Sequence, residues 1–154
     1  MAFHIKGIFG GSVKNVAVFI DGPNMIRKEF NIDLKEVRER AKKYGRLIYG
    51  KVFLNQFASE KLIEAVSSQG FEPLIALGVE KDQDIDVYMA AEIMEASYDK
   101  SIDVIVMVSR DTDFLPIIQK AKKKGKETVV MGSEPGFSVA LRNAADHVED
   151  LTKK

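Results

Sequence analysis

Residues 102–114 read IDVIVMVSRDTDF, and the fold depends on how that stretch divides. Val104 to Val108 is an unbroken apolar run, mostly β-branched. So short a run, apolar at every position, predicts a strand buried on both faces. Asp111 and Asp113 follow at alternate positions, and Phe114, Leu115, Ile117 and Ile118 then take up helical spacing. The stretch reads as strand, short loop and helix start. In an open parallel α/β sheet, ligands sit just beyond the carboxyl ends of the strands. The two acids are therefore expected at a functional edge.

A second stretch has the same form. Residues 15–20 carry the run VAVFI, followed by Asp21, Gly22, Pro23 and Asn24. Gly22 and Pro23 punctuate a turn, which sets Asp21 at a strand's carboxyl end with Asn24 close by. The plainer reading of Asp21 is an Asx turn that bonds nearby backbone amides. Further strands are predicted over 46–54, 71–77, 127–131 and, short, 147–151. Helices are predicted over 33–44, 59–69, 84–98, from about 112–114 to 124, and over 137–145. Asp33 can cap the first helix with Glu36 three residues on, and Gly45 can close it. Ile85, Met89 and Ile93 form the core stripe of the 84–98 helix. Pro116 lacks an amide hydrogen and is tolerated in a first turn, which places that helix start near 112–114. Strands alternating with helices of this length indicate βαβ crossovers and a mainly parallel sheet.

Composition narrows the chemistry. The 154 residues suit one domain with a sizeable core. Twenty-three bases balance twenty-three acids, so polyanion binding must rest on a local patch or on bound metal. With no cysteine, disulfides, thiolate chemistry and Cys-ligated zinc are excluded. The two histidines, His4 and His147, lie near opposite ends and give little support to a His-rich metal site or a Ser–His relay. No apolar run approaches a membrane span, and residues 1–14 lack the continuous apolar core of a signal peptide. A cytoplasmic protein without membrane contact is expected, with residues 1–14 as a loosely held arm. A homo-oligomer is compatible with the sequence. The lysines of KAKKKGK, 120–126, read most simply as complements to a helix C-terminus.

Each acid has a local explanation. Asp86 suits the dipole of a helix first turn, and Asp113 suits a helix cap. Their joint placement points further. In a sheet of order 3-2-1-4-5, strands one and four adjoin at the switch point, which brings Asp21 together with Asp111 and Asp113. Asp86 starts the helix that leads into strand four. Glu92 lies six residues later, roughly 120° around the helix, and is the weaker candidate. Crowded carboxylates resist losing all their protons, and a divalent cation relieves the repulsion. Hard oxygen ligands suit Mg²⁺ or Mn²⁺.

VAVFIDGPNM, DIDVYMAAEIM and IVMVSRDTDFLPII, in that order and spacing, resemble the three motifs of the NYN domain in the PIN-like nuclease superfamily, LabA-like branch. The ending FSVALRNAADHVEDL resembles that family's tail, so the likeness runs from about 15 to 151. It implies a three-layer α/β/α PIN-like (Rossmann-like) fold over 15–154 and metal-dependent cleavage of RNA with 5′-phosphate products. The family's acidic positions fall on Asp21, Asp86, Asp111 and Asp113 as catalytic and metal-binding residues, with Asn24 and Ser109 as polar companions. Two positions depart from it. Arg110 stands where the family commonly has glycine, and Glu92 where many relatives have aspartate.

The leading expectation is a ribonuclease using Mg²⁺ or Mn²⁺ held by the four aspartates to activate water for in-line attack on phosphorus. Arg27, Lys28 and Arg110, close in sequence to the carboxyl edge, are expected to hold phosphates. A second reading is an RNA-binding or regulatory module with little or no turnover, in keeping with the zero net charge, the lack of an obvious stacking platform, and Arg110. A phosphomonoesterase of the haloacid dehalogenase type would want a second aspartate where Pro23 stands. No phosphate-binding GxxxxGK[ST] loop occurs.

Overall fold

The computed structural model describes residues 12–26, 32–77 and 82–153, with side chains from 85 onward in the last segment. It contains a six-stranded sheet of order β3-β2-β1-β4-β5-β6. The strands are β1 (Asn15–Asp21), β2 (Arg46–Asn55), β3 (Glu72–Ala76), β4 (Val104–Val108), β5 (Glu127–Gly132) and β6 (His147–Asp150). Every neighbouring pair is parallel. The expected 3-2-1-4-5 order is borne out, and the short sixth strand adds itself beyond β5.

The helices are α1 (Gly22–Met25), α2 (Leu34–Ala41), α3 (Glu60–Ser68), α4 (Asp82–Ser97), α5 (Leu115–Lys123) and α6 (Val139–Ala144). Short 3-10 turns extend α2 at Lys42–Tyr44 and introduce α5 at Thr112–Phe114. Parallel crossovers are right-handed, so the direction in which the chain moves across the sheet decides which face a helix covers. From β1 to β2 to β3 the chain moves one way, and Met25, Val37, Ala41 and Val66 of α1–α3 pack together on one face. From β3 it crosses back over β1 and β2 to β4. Helices α4–α6 then cover the opposite face with Ile85, Met89, Ile93, Ile118 and Leu141.

β1 and β4 lie at the centre, and every residue of both is buried. Their side chains alternate between the two layers. Ala17, Phe19, Ile105 and Met107 enter the α4–α6 layer. Val16, Val18, Ile20, Val104, Val106 and Val108 enter the other. Full burial of each such large side chain contributes about 1.5–3 kcal/mol, which makes this central pair the rigid base for the loops above it.

Some boundaries differ from expectation. Gly22 and Pro23 form a one-turn helix rather than an open turn, because Asp21 caps it and Pro23 fits its first turn. α4 begins at Asp82, so Asp86 falls in the second turn and not the first. No glycine or proline separates 82 from 84 to stop the helix there. Of the proposed arm, residues 1–11 lie outside the described residues. Lys14 is fastened to the body: its ammonium pairs with Glu127 at 2.6 Å and its carbonyl accepts from Arg46 N–H at 2.7 Å.

Candidate metal centre at the carboxyl edge

β1 and β4 run side by side with Ile20 opposite Val108, so the residues that follow them emerge together. From β1 comes Asp21, only 2% exposed. A buried carboxylate needs hydrogen bonds. Asn24 N–H donates to its Oδ1 at 3.3 Å, and the Ser109 hydroxyl donates to its Oδ2 at 3.2 Å. Ser109 is itself fully buried, with its N–H on the Met131 carbonyl at 3.0 Å. Its hydroxyl also accepts from Asp111 N–H at 3.2 Å. Ser109 thus ties the loop carrying Asp111 to the carboxylate that ends β1.

Asp111 caps the 3-10 turn ahead of α5, its Oδ1 accepting from Asp113 N–H at 2.9 Å. The capping role weighed as the local alternative for Asp113 falls to Asp111, because the turn starts at Thr112. Asp111 retains extended backbone angles, as an N-cap residue does. Asp86 approaches from α4. Asp86, Asp111 and Asp113 each offer a carboxylate oxygen, and these atoms lie within 4.8 Å of one another. Asp86 and Asp111 are half-buried and Asp113 is exposed, so the group opens to solvent on one side. Asp21 is not a member of this group and reaches it through Ser109.

The supporting residues divide. The Asn24 side-chain oxygen accepts from Arg110 N–H at 3.2 Å, joining α1 to the loop after β4. Glu92 pairs with Lys51 of β2 at 2.8 Å. Six residues of helix put it about 9 Å along α4 from Asp86. Arg110 directs one guanidinium nitrogen to the Pro135 carbonyl at 2.5 Å. Arg27 and Lys28 lie outside the described residues. Lys122 and Lys123 occupy the last turn of α5, the end away from the acids.

One participant was not singled out from sequence: the turn between β5 and α6. Ser138 N–H donates to the Arg110 carbonyl at 3.2 Å, and the Thr112 hydroxyl donates to the Ser138 hydroxyl at 2.7 Å. A signal was present, since the turn-forming run GSEPGFS at 132–138 follows a parallel strand and must leave it at the same edge.

Three anionic oxygen donors in mutual reach, with open solvent for bound waters, match the preferences of Mg²⁺ or Mn²⁺. The donor set therefore fits a hard divalent cation. It offers no thiolate, and no histidine belongs to it.

A doubly wound parallel sheet with acids at its switch point defines a PIN-like, Rossmann-like α/β protein. The NYN domain family model matches residues 15–152, and the chain belongs to that family. It is 55% identical over 133 residues to an uncharacterized protein of Methanocaldococcus jannaschii, covering 86% of this chain and 53% of that protein. The chain thus spans about half the length of that curated relative. In fold it resembles the crystal structure of a protein of unknown function from Vibrio parahaemolyticus. That likeness has a TM-score of 0.79 at 20% identity and covers 90% of this chain and 93% of the other.

Proposed function

We propose that the protein is a metal-dependent ribonuclease that hydrolyses phosphodiester bonds at the carboxyl edge of β1 and β4. The observation that carries this is the convergence of Asp86, Asp111 and Asp113 within 4.8 Å. Asp86, Asp111 and Asp113 hold Mg²⁺ or Mn²⁺ through their carboxylate oxygens, and Asp21 completes the acid set from its buried position. A divalent cation bound there supplies positive charge to the phosphate and lowers the pKa of water for in-line attack.

The chain's own residues prepare that site. Ser109 fixes the Asp111 amide from below, and Asn24 fixes the Arg110 amide beside it. The 3-10 cap holds the Asp111 carboxylate in one orientation while leaving its second oxygen for a ligand. Arg27 and Lys28 draw backbone phosphates toward this edge by their charge. Glu92, paired to Lys51, supports α4 behind Asp86. RNA as substrate and 5′-phosphate products are carried over from the family. Among the described residues no helix is long and apolar enough to cross a membrane.

The test is cleavage of mixed single-stranded and structured RNAs with Mn²⁺ or Mg²⁺. Cleavage that stops on chelation and is lost in Asp111→Asn supports the proposal. Metal-independent RNA binding with no cleavage by the parent protein moves the assignment to an RNA-binding module.

A further inference from the structure

Arg110, which stands between Ser109 and Asp111 in the loop after β4, is bonded at three points to two other segments. Its N–H donates to the Asn24 side-chain oxygen at 3.2 Å, in the segment after β1. Its carbonyl accepts from Ser138 N–H at 3.2 Å, at the start of α6. Its guanidinium donates to the Pro135 carbonyl at 2.5 Å. The fit around that guanidinium is close, since a Cβ built on Gly136 would come within 2.8 Å of the same nitrogen. Gly136 has φ +85°, so the turn can be formed there without strain only by a residue lacking a side chain. Thr112, two residues beyond Arg110, bonds Ser138 in parallel.

We infer that Arg110 is a positioning residue: it latches the 133–138 turn against the β4 loop and thereby holds Asp111 in its metal-binding geometry. Asp111 is the next residue along the chain. Its own N–H bond goes down to Ser109, and its side chain caps the turn ahead of α5. Without the latch, the outer side of this loop would keep the Thr112–Ser138 hydroxyl bond and the Ser138–Arg110 backbone bond but lose the charged bond that fixes the far turn. A charge-assisted bond to a carbonyl is about twice as strong as a neutral one, so losing the side chain removes the strongest single restraint on the turn. Because carboxylate ligands act only within a narrow range of geometry, loosening their loop lowers metal affinity even though no ligand is removed.

This inference rests on the metal-centre reading above and assigns Arg110 a task different from gripping substrate phosphate. The two tasks separate in a titration without RNA. Mn²⁺ binding by the full chain is measured calorimetrically for the parent, Arg110→Ala, Arg110→Lys and Asp111→Asn, alongside amide hydrogen exchange over 134–138. The latch predicts at least fivefold weaker Mn²⁺ binding in Arg110→Ala and faster exchange at Ser138. It also predicts partial recovery in Arg110→Lys, whose ammonium can still donate to the Pro135 carbonyl without the planar fork. Parental Mn²⁺ affinity in Arg110→Ala overturns the inference, and a rise in KM for RNA with unchanged Mn²⁺ binding reassigns Arg110 to phosphate contact. If the parent takes up no Mn²⁺, or Asp111→Asn binds it as the parent does, the metal-centre reading fails and the latch with it. The Asp111→Asn arm thus distinguishes that failure from a failure of the latch alone.

Discussion

Around β6 the acids of this chain sit against bases and hydroxyls, whereas at the carboxyl ends of β1 and β4 three of them sit against one another. Glu149 accepts from the Tyr44 hydroxyl at 2.5 Å and from Lys43 at 2.9 Å, with Arg40 at 3.4 Å. Glu127 lies between Lys14 at 2.6 Å and His147 at 2.8 Å. Asp146 receives both the N–H and the hydroxyl of Thr128, and Lys122 approaches at 3.5 Å. These partners change the acids in one direction. The Lys14 bond holds the Glu127 carboxyl below its usual range against a smaller opposing effect of burial, and His147 adds to it. Burial pushes Glu149 upward, but Tyr44 and Lys43 together outweigh it and the carboxyl ends lower. Acids at the β6 edge are therefore spent on joining elements distant in sequence, with α2 tied to β6. The Asp86, Asp111 and Asp113 group is built the other way, with like charges brought together on a rigid base. The difference teaches where to look for function: clustered carboxylates raise one another's cost of ionising, and a divalent cation is one group that lowers it.

The largest expected effect lies at the crowded edge. Asp111→Asn retains an oxygen for the Asp113 amide, because asparagine caps about as well as aspartate. The substitution therefore removes charge and little else. Turnover is expected to fall at least 100-fold, about 2.7 kcal/mol of barrier, with the fold intact. Metal-free stability should rise slightly, and the rise in Tm on adding Mg²⁺ should shrink relative to the parent. Cleavage at the parental rate with an unchanged Mg²⁺ response would break the contrast between the two edges.

At the paired edge the same kind of change should act on stability and leave turnover alone. Glu149→Ala removes the shared acceptor of Tyr44, Lys43 and Arg40, whose side chain is only 13% exposed. The expected cost is about 1–2 kcal/mol by denaturant unfolding, because the Tyr44 hydroxyl loses its acceptor while Arg40 keeps Glu36 and the Asp150 carbonyl. A cost under about 0.5 kcal/mol would mean that the β6 network is as dispensable as an exposed ion pair.

Gly136→Ala sharpens the comparison from the other side. It forces a side chain into φ +85° and sets its Cβ 2.8 Å from the Arg110 guanidinium. About 1 kcal/mol should be lost by thermal unfolding, with more rapid hydrogen exchange confined to the neighbouring turn.

The smallest effect is in pH dependence. Glu127 and Glu149 are lowered from 4.5 in the folded protein, so their contribution is full above that value and is lost as pH falls through the lowered values. Tm measured from pH 6 to pH 3 should decline, and Glu127→Gln should flatten part of the decline below about pH 4.5. An equally steep decline in the variant would remove Glu127 from the stabilising set.

What the sequence determined by itself is the layer structure. VAVFI and VIVMV are apolar at every position, a pattern that only strands covered on both faces can use, and the helical stripes between strands impose parallel crossovers. Chirality of those crossovers then leaves few strand orders, and 3-2-1-4-5 with a short sixth strand is the one found. Asp21, Asp111 and Asp113 were legible as carboxyl-edge residues for the same reason, since a strand's end locates whatever follows it. Tertiary structure decided the pairings. Asp111 rather than Asp113 became the cap, because one turn of 3-10 helix intervenes before α5. Glu92 found Lys51, 41 residues earlier, and Arg110 found Pro135, 25 residues later. Such contacts depend on register, on crossover length and on side-chain direction, which hydrophobic periodicity does not encode. Periodicity records which face of an element is buried. The partner of a polar group at an edge is set only when separate loops have been brought to the same place.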